Sequence, residues 1–126
     1  MNRTSTSGPR ALAEELYDAA IERMAEGNLS AAIEGFRASL AADSGFRDAT
    51  HGLIHALKNA GKLDEAIAVT RELLAADPDD VLGYTSLSIL YQHQGKIAEA
   101  ESAATRAKLL GWKRQLRDEK EDGGSG

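Results

Sequence analysis

The sequence predicts an all-α protein built from three antiparallel helical hairpins. A glycine recurs every 34 residues, at Gly27, Gly61 and Gly95. An alanine stands five residues after each of these glycines, at Ala32, Ala66 and Ala100. The chain is rich in Ala, Leu and Glu and only 5% aromatic, which favours helices packed through small and aliphatic side chains.

Each recurring glycine lies between two helical segments. The first helices of the three pairs are predicted over 11–26, 46–60 and 81–94. Glycine adopts the left-handed backbone conformation without steric cost, so we expect each one to end a first helix and turn the chain back. The recurring alanine then lies on the second helix, where a small side chain lets two antiparallel helices approach closely.

Apolar residues at helical spacing predict the internal seam of the first helices. This seam is expected to contain Leu16, Ala19, Ala20 and Arg23, then Leu53, Ile54 and Leu57, then Tyr84, Leu87, Ser88 and Tyr91. The ends of the hairpins are predicted from helix-stopping and capping residues. Asp43 with Ser44 closes the first hairpin, Asp77 with Pro78 closes the second, and Asp79 starts the next helix.

The resulting domain organisation is one helical domain between two tails. Residues 1–10 are predicted to be a disordered tail, and residues 11–114 hold three repeats, at about 13–46, 47–80 and 81–114. Residues 115–126 form a charged tail that ends in Gly and Ser, with a short helical extension over 113–122. In the third repeat, Glu101 and Lys108 suit an end face exposed to water, and Trp112 is a candidate to fold back onto the last hairpin.

The 34-residue period, with Gly and Ala at fixed positions and Pro at the end of a hairpin, resembles the pattern of the tetratricopeptide repeat family, over about 13–114. The resemblance implies a right-handed superhelical solenoid, in which stacked hairpins share one core. It also implies a concave groove lined by the first helices and a role as a protein-binding scaffold or adaptor.

Matching to the family pattern selects side chains that are expected to line the groove and to bind a protein or peptide partner. These are Tyr17, Asp18, Ile21, Met24, His51, His55, Lys58, Asn59, Thr85, Ile89, Gln92 and His93. One branch of the family grips a chaperone C-terminal carboxylate with Lys, Asn and Arg side chains. At the corresponding positions this chain has Tyr17, Ile21, Gly52, Leu82 and Ser86, so we expect a different ligand.

Composition and motifs argue against other classes of function. The net charge of −5 disfavours nucleic acid as a partner, and the lack of cysteine excludes disulfides and thiolate chemistry. Phosphate-binding glycine motifs are absent, and a small helical array offers no oxyanion pocket, so we expect neither an enzyme nor a cofactor. No run of about 18 apolar residues predicts membrane insertion, and a cytoplasmic location is expected.

Two alternatives remain open at this stage. The first is a structural module that forms a homo-oligomer through the apolar end faces of the short array. The second is a metal or small-ligand binder, because His51 and His55 are four residues apart on one helix and His93 lies on the next first helix. No HExxH pattern accompanies these histidines, so ordinary hydrogen bonding in the groove is the favoured interpretation.

Overall fold

Six helices make up the part of the chain described by the computed structural model, residues 8–125, with side chains described up to residue 121. Their bounds, in chain order, are α1 Pro9–Ala25, α2 Leu29–Ala42, α3 Arg47–Asn59, α4 Leu63–Ala76, α5 Val81–His93 and α6 Ile97–Ser125. The predicted all-α class of paired helices is confirmed. The chain divides into an N-terminal unit up to Val69 and a C-terminal unit from Thr70, with the division inside α4.

The recurring glycines turn the chain between the helices of each pair. Gly27, Gly61 and Gly95 have φ of 82°, 78° and 75°, as the sequence predicts. At the first turn the amide of Asn28 donates to the carbonyl of Arg23 at 2.9 Å, and the amide of Gly27 donates to that of Met24 at 3.0 Å. The other two turns repeat this pair of bonds, which defines a Schellman motif and satisfies carbonyls left open at the helix end.

Replacing Gly61 by Ala is expected to destabilise the fold by about 1–2 kcal/mol, because an L-residue is strained in the left-handed region. Gly61→Asn should cost less, since asparagine visits that region more readily. Gly45→Ala is the matched control, because Gly45 lies in a loop without a positive φ. Urea unfolding followed by circular dichroism measures the free energy of unfolding of all three variants. Equal losses of stability for Gly61→Ala and Gly45→Ala would contradict the role of Gly61 as a left-handed turn residue.

The N-terminal unit is held together by a close contact between α1 and α2. Ala32 is fully buried on α2, as predicted. A Cβ atom placed on Gly35 would lie only 2.8 Å from the Cβ of Ala20, so the two helices nearly touch there. The hydroxyl of Ser39 donates to the carbonyl of Ala13 at 2.7 Å inside this contact. A hydroxyl buried without a partner would be costly, so this bond fixes how α2 lies on α1.

The start of α1 is fixed by contacts with the loop between α2 and α3. The Nε of Arg10 donates to the Oδ2 of Asp43 at 2.7 Å, and its guanidinium lies 4.7 Å from the centre of the Phe46 ring. The Arg10 hydrogen bond, followed by the Gly45 amide, lowers the pKa of Asp43. The helix therefore begins two residues before the predicted boundary at 11, while residues 1–7 of the predicted tail lie outside the described residues.

Two details of the predicted seams and caps are wrong. Ala19 is exposed, because α2 and α3 cover the side of α1 that carries Ala13 and Ala20. The cap of α5 is Asp80 rather than Asp79: the Oδ1 of Asp80 accepts the amide of Gly83 at 2.9 Å. The amide of Asp79 instead donates to the side chain of Asp77 in the preceding turn.

The C-terminal unit pairs α5 with α6. The hydroxyl of Ser88 donates to the carbonyl of Ala100 at 2.8 Å, which ties α5 to α6 across a buried contact. Ala100 is 2% exposed, as the small-residue pattern predicts. Leu90 on α5 is fully buried, and Ala103 and Leu110 continue the buried side of α6.

α6 includes the helical extension predicted over 113–122 and continues past it. The helix continues through Gly111 to Ser125, so residues 115–125 are helical. Gly111 and Trp112 occupy the positions at which Asp77 and Pro78 end the previous repeat, but neither removes a backbone donor as proline does. The idea that Trp112 folds back is wrong, because its side chain is 61% exposed on the continuous helix.

Candidate functional site

The first helices of the N-terminal unit, α1 and α3, lie in contact and share a surface. None of the eight groove residues predicted on these two helices is buried. The exposed ones are Asp18, Ile21, His55 and Asn59. The half-buried ones are Tyr17, Met24, His51 and Lys58. The surface therefore offers one exposed aliphatic side chain, Ile21, among charged, amide and imidazole groups.

Tyr17 is partly a packing residue rather than a freely exposed groove residue. The centre of its ring lies 5.7 Å from that of Phe36 and 5.4 Å from that of Phe46, in tilted and edge-on arrangements. Burial, and then the nearby charges of Asp48 and Asp18, raise the pKa of its hydroxyl. The phenol therefore stays protonated through the physiological range and can donate a hydrogen bond from a ring that is held rigidly.

The predicted groove residues of α5 belong to the C-terminal unit. Thr85, Gln92 and His93 are exposed, and Ile89 is half-buried. The hydroxyl of Thr85 donates to the carbonyl of Val81 at 3.0 Å, so its proton is used within α5. That leaves Gln92 and His93, at the end of the helix, as the polar groups most accessible to a partner.

The structure offers no support for a metal site at the histidines. Among residues 8–121, no three His, Asp or Glu side chains are placed so that they could hold a metal ion. Structural zinc sites use four ligands and catalytic sites at least three, so a pair of histidines on α3 is not such a centre.

A cavity that the groove prediction missed lies within the C-terminal unit. It has a volume of about 460 Å³, a size typical of ligand pockets. Its lining comes from the end of α4 and from α5 and α6, and comprises Arg71, Tyr84, Leu87, Tyr91, Glu99, Ser102, Ala103, Thr105, Arg106 and Leu109. The sequence pattern placed Tyr84 and Tyr91 in the seam, where Tyr91 is indeed buried. Helical periodicity does not distinguish a packed seam from the floor of a cavity.

Two arginines are held over the aromatic rings of this cavity. The Cζ atom of Arg71 lies 5.8 Å from the centre of the Tyr91 ring, and its Nη2 donates to the Tyr91 hydroxyl. The Cζ atom of Arg106 lies 6.0 Å from the centre of the Tyr84 ring. Cation–π contact holds both guanidiniums at the surface while leaving donors for an anionic group. Glu99 is the acidic side chain of the lining.

No helix within residues 8–125 combines the length and the apolar character that crossing a lipid bilayer requires.

Comparison with solved structures shows the same fold in proteins of low sequence identity. A crystal structure of MamA is 22% identical, with a TM-score of 0.77 over 82% of this chain and 61% of that one. The chain thus spans less than two thirds of the MamA chain. The Yersinia enterocolitica type III secretion chaperone SycD, in complex with a peptide of the translocator YopD, is 25% identical. That match has a TM-score of 0.72 over 77% of this chain and 74% of SycD.

A third similar structure is the second tetratricopeptide repeat domain of Spaghetti (RPAP3), bound to the HSP90 peptide SRMEEVD. It is 21% identical, with a TM-score of 0.70 over 78% of this chain and 91% of that one. No curated protein matches the sequence. The sequence profile named Tetratricopeptide repeat matches residues 23–88, more than half of the chain. The glycine turns, the paired helices and this match agree: the chain belongs to the tetratricopeptide repeat family.

Proposed function

We propose that this protein is a non-catalytic interaction module that binds a peptide or protein partner along its first helices. The observation that carries the proposal is the surface of α1 and α3, on which all eight predicted groove residues are at least partly accessible. Its mixture of an aliphatic anchor with imidazole, amide and ammonium groups suits a helix or an extended peptide. The SycD and RPAP3 structures, each with a peptide bound, support this assignment by analogy of fold.

Tyr17 and Ile21 are the proposed apolar anchors of this surface. They lie four residues apart and therefore point to the same side of α1. Ile21 is 37% exposed and offers aliphatic area to a partner. The Tyr17 ring is already fixed by Phe36 and Phe46, so binding against it requires little additional ordering of the side chain. Buried rigid aromatics are frequent energetic centres of interfaces.

The proposed ligand differs from the acidic peptide seen with RPAP3. Gripping a C-terminal carboxylate requires cationic or amide donors at defined groove positions. This chain has Tyr17, Ile21 and Gly52 at three of those positions, and Leu82 and Ser86 at the others. We therefore propose a segment that contributes an apolar side chain and hydrogen-bonding groups. The alternative of self-association through the end faces stays a prediction.

Replacing Ile21, His55 and Asn59 together by Ala is expected to weaken partner binding about tenfold or more, since loss of a central anchor costs about 1–2 kcal/mol or more. The measurement is calorimetry with a partner identified by cross-linking in the source cells and then purified. All three side chains are exposed, so the melting temperature should not fall. Tyr17 is left intact because its removal would also disturb packing.

The matched control replaces exposed residues of the second helices, Glu34→Ala on α2 with Glu72→Ala on α4. This variant should bind the partner with unchanged affinity. If the first-helix variant also binds normally while remaining folded, the proposed surface is not the binding site. A loss of affinity in the control alone would place the site on the second helices instead.

A further inference from the structure

We propose that the outer face of α6 is a second docking surface, which binds an acidic amphipathic helix of a partner protein. We call this surface the basic stripe. It consists of Leu109, Trp112 and Leu116 with the flanking cations Arg106, Lys108 and Lys113. It lies on α6, the second helix of its hairpin, whereas the surface proposed above lies on the first helices α1 and α3. The two surfaces also suit partners of different charge, so the basic stripe is a separate site.

The apolar centre of the basic stripe is accessible and has the spacing of a helix-pairing seam. Leu109 is 46% exposed, Trp112 61% and Leu116 59%. Their positions follow a three-and-four spacing that begins earlier on the same helix with the exposed Ser102 and Thr105. This is the a and d pattern by which one helix packs lengthwise on another. Three large apolar side chains in a row on one face are unusual for a surface without a partner.

The charge around the apolar centre of this seam, from Leu109 to Leu116, has one sign. Residues 102–117 contain five Lys and Arg side chains and no Asp or Glu, although the whole chain has a net charge of −5. The positions that flank a helix-pairing seam are occupied by Arg106, Lys108, Lys113 and Gln115. Among residues 8–121, no carboxylate forms an ion pair with Lys108 or Lys113, although Asp79 lines a small hollow together with Lys113. Such flanking positions set partner choice by charge, so an occupant should carry acidic side chains there.

Hollows along the basic stripe leave room for the occupant's side chains. At its N-terminal end, Leu109 and Arg106 also line the cavity of about 460 Å³ described above. Beside Trp112, a hollow of about 420 Å³ is lined by Lys108, Gly111 and Gln115. Apart from its chain neighbours and the backbone of its own helix, no atom lies within 4 Å of a Cβ placed on Gly111. Glycine inside a helix is destabilising, so a glycine that leaves open space beside an exposed tryptophan fits a docking role.

The same charges disfavour two other occupants. A second copy aligned along the stripe would bring Lys108 and Lys113 against each other in a parallel pair, or Lys113 against itself in an antiparallel one. An anionic membrane would attract the five cations, but Asp118, Glu119 and Glu121 follow directly on α6 and would be repelled by the same surface. An acidic helix of limited length avoids both conflicts.

The test uses Trp112, the single tryptophan of the chain, as the reporter. The probe is a synthetic peptide of two heptads, short enough to lie within residues 102–117, with Leu at the seam positions and Glu at every flanking position. Adding it to the full 126-residue chain is expected to shift the tryptophan emission to shorter wavelength, and the shift should saturate as the peptide concentration rises. A matched peptide with Lys in place of each Glu should cause no shift. Vesicles containing phosphatidylserine are the third addition.

Charge reversal supplies the sharper comparison. Lys108→Glu with Lys113→Glu should weaken binding of the glutamate peptide about tenfold, because two attractive pairs become repulsive. The matched control, Lys62→Glu with Lys96→Glu, makes the same charge change at exposed turn positions and should alter affinity less than about twofold. The first-helix variant of Ile21, His55 and Asn59 should bind this peptide normally, which separates the two proposed sites.

Each remaining outcome overturns the proposal. These outcomes are no emission shift with the glutamate peptide, an equal shift with the lysine peptide, or a shift with vesicles alone. An emission shift on concentrating the chain by itself would identify a second copy as the occupant. Far-UV circular dichroism and melting curves confirm that each variant is folded, and Leu116→Ala provides a second variant at a site too exposed to affect the core.

Discussion

Phe36→Ala is expected to destabilise the protein by about 3–5 kcal/mol, the usual loss for removing a fully buried aromatic ring. Phe36 has no exposed surface and packs against Tyr17 on α1 and Gly52 on α3. Its removal leaves a cavity at the point where three helices of the N-terminal unit meet. Because small domains have a total stability of about 5–15 kcal/mol, much of the protein should unfold at moderate urea concentration.

The measurement is urea unfolding at room temperature, followed by circular dichroism. Phe36→Leu fills part of the cavity and should lose clearly less than Phe36→Ala. Arg37→Ala, at the neighbouring exposed position, is the control and should change stability by less than about 1 kcal/mol, since its ion pair with Glu65 at 2.9 Å is at the surface. A loss below about 1 kcal/mol for Phe36→Ala would contradict this description of the core.

Gly52→Ala is expected to cost about 1–3 kcal/mol, even though alanine favours helix formation, because the site is overpacked. A Cβ atom at position 52 would lie 2.5 Å from the Cε1 and 2.7 Å from the Cζ of Phe36. The ring is enclosed and does not move aside without disturbing Tyr17. The added methyl group therefore strains the contact between α2 and α3.

A double-mutant cycle tests whether the ring is the cause. Gly52→Ala should be much less harmful, or neutral, when Phe36 has already been replaced by Leu. Gly111→Ala is the control for helix propensity, because a Cβ atom there meets nothing within 4 Å and should stabilise α6 by a few tenths to about 1 kcal/mol. Purely additive losses at positions 36 and 52 would show that the strain lies elsewhere.

The recurring elements of this fold are predictable from the sequence because each has a local physical cause. Within the described part of the chain, Gly27, Gly61 and Gly95 are the residues with positive φ, and that requirement is visible in the 34-residue spacing. Ala32 and Ala100 are buried for an equally local reason, since close helix pairs need small side chains. Fold class therefore followed from periodicity and turn chemistry alone.

The features that the sequence did not predict depend on long-range contacts or on the absence of a stop signal. Arg10 joins α1 through Asp43, a residue 33 positions away, so local propensity placed the boundary too late. Trp112 stays exposed because nothing between Leu110 and Lys113 breaks α6. The groove residues were chosen by family position, which does not reveal that the Tyr17 ring is engaged by Phe36 and Phe46.

The uninterrupted course of α6 has a practical consequence for attaching anything to this protein. Past Gly111, the helix runs to Ser125 and advances by roughly 1.5 Å per residue. Its last turn is therefore carried roughly 20 Å beyond that glycine. A fluorophore or fused domain joined after this helix would be held away from the paired part of α5 and α6. Labels placed there should leave the packed core undisturbed.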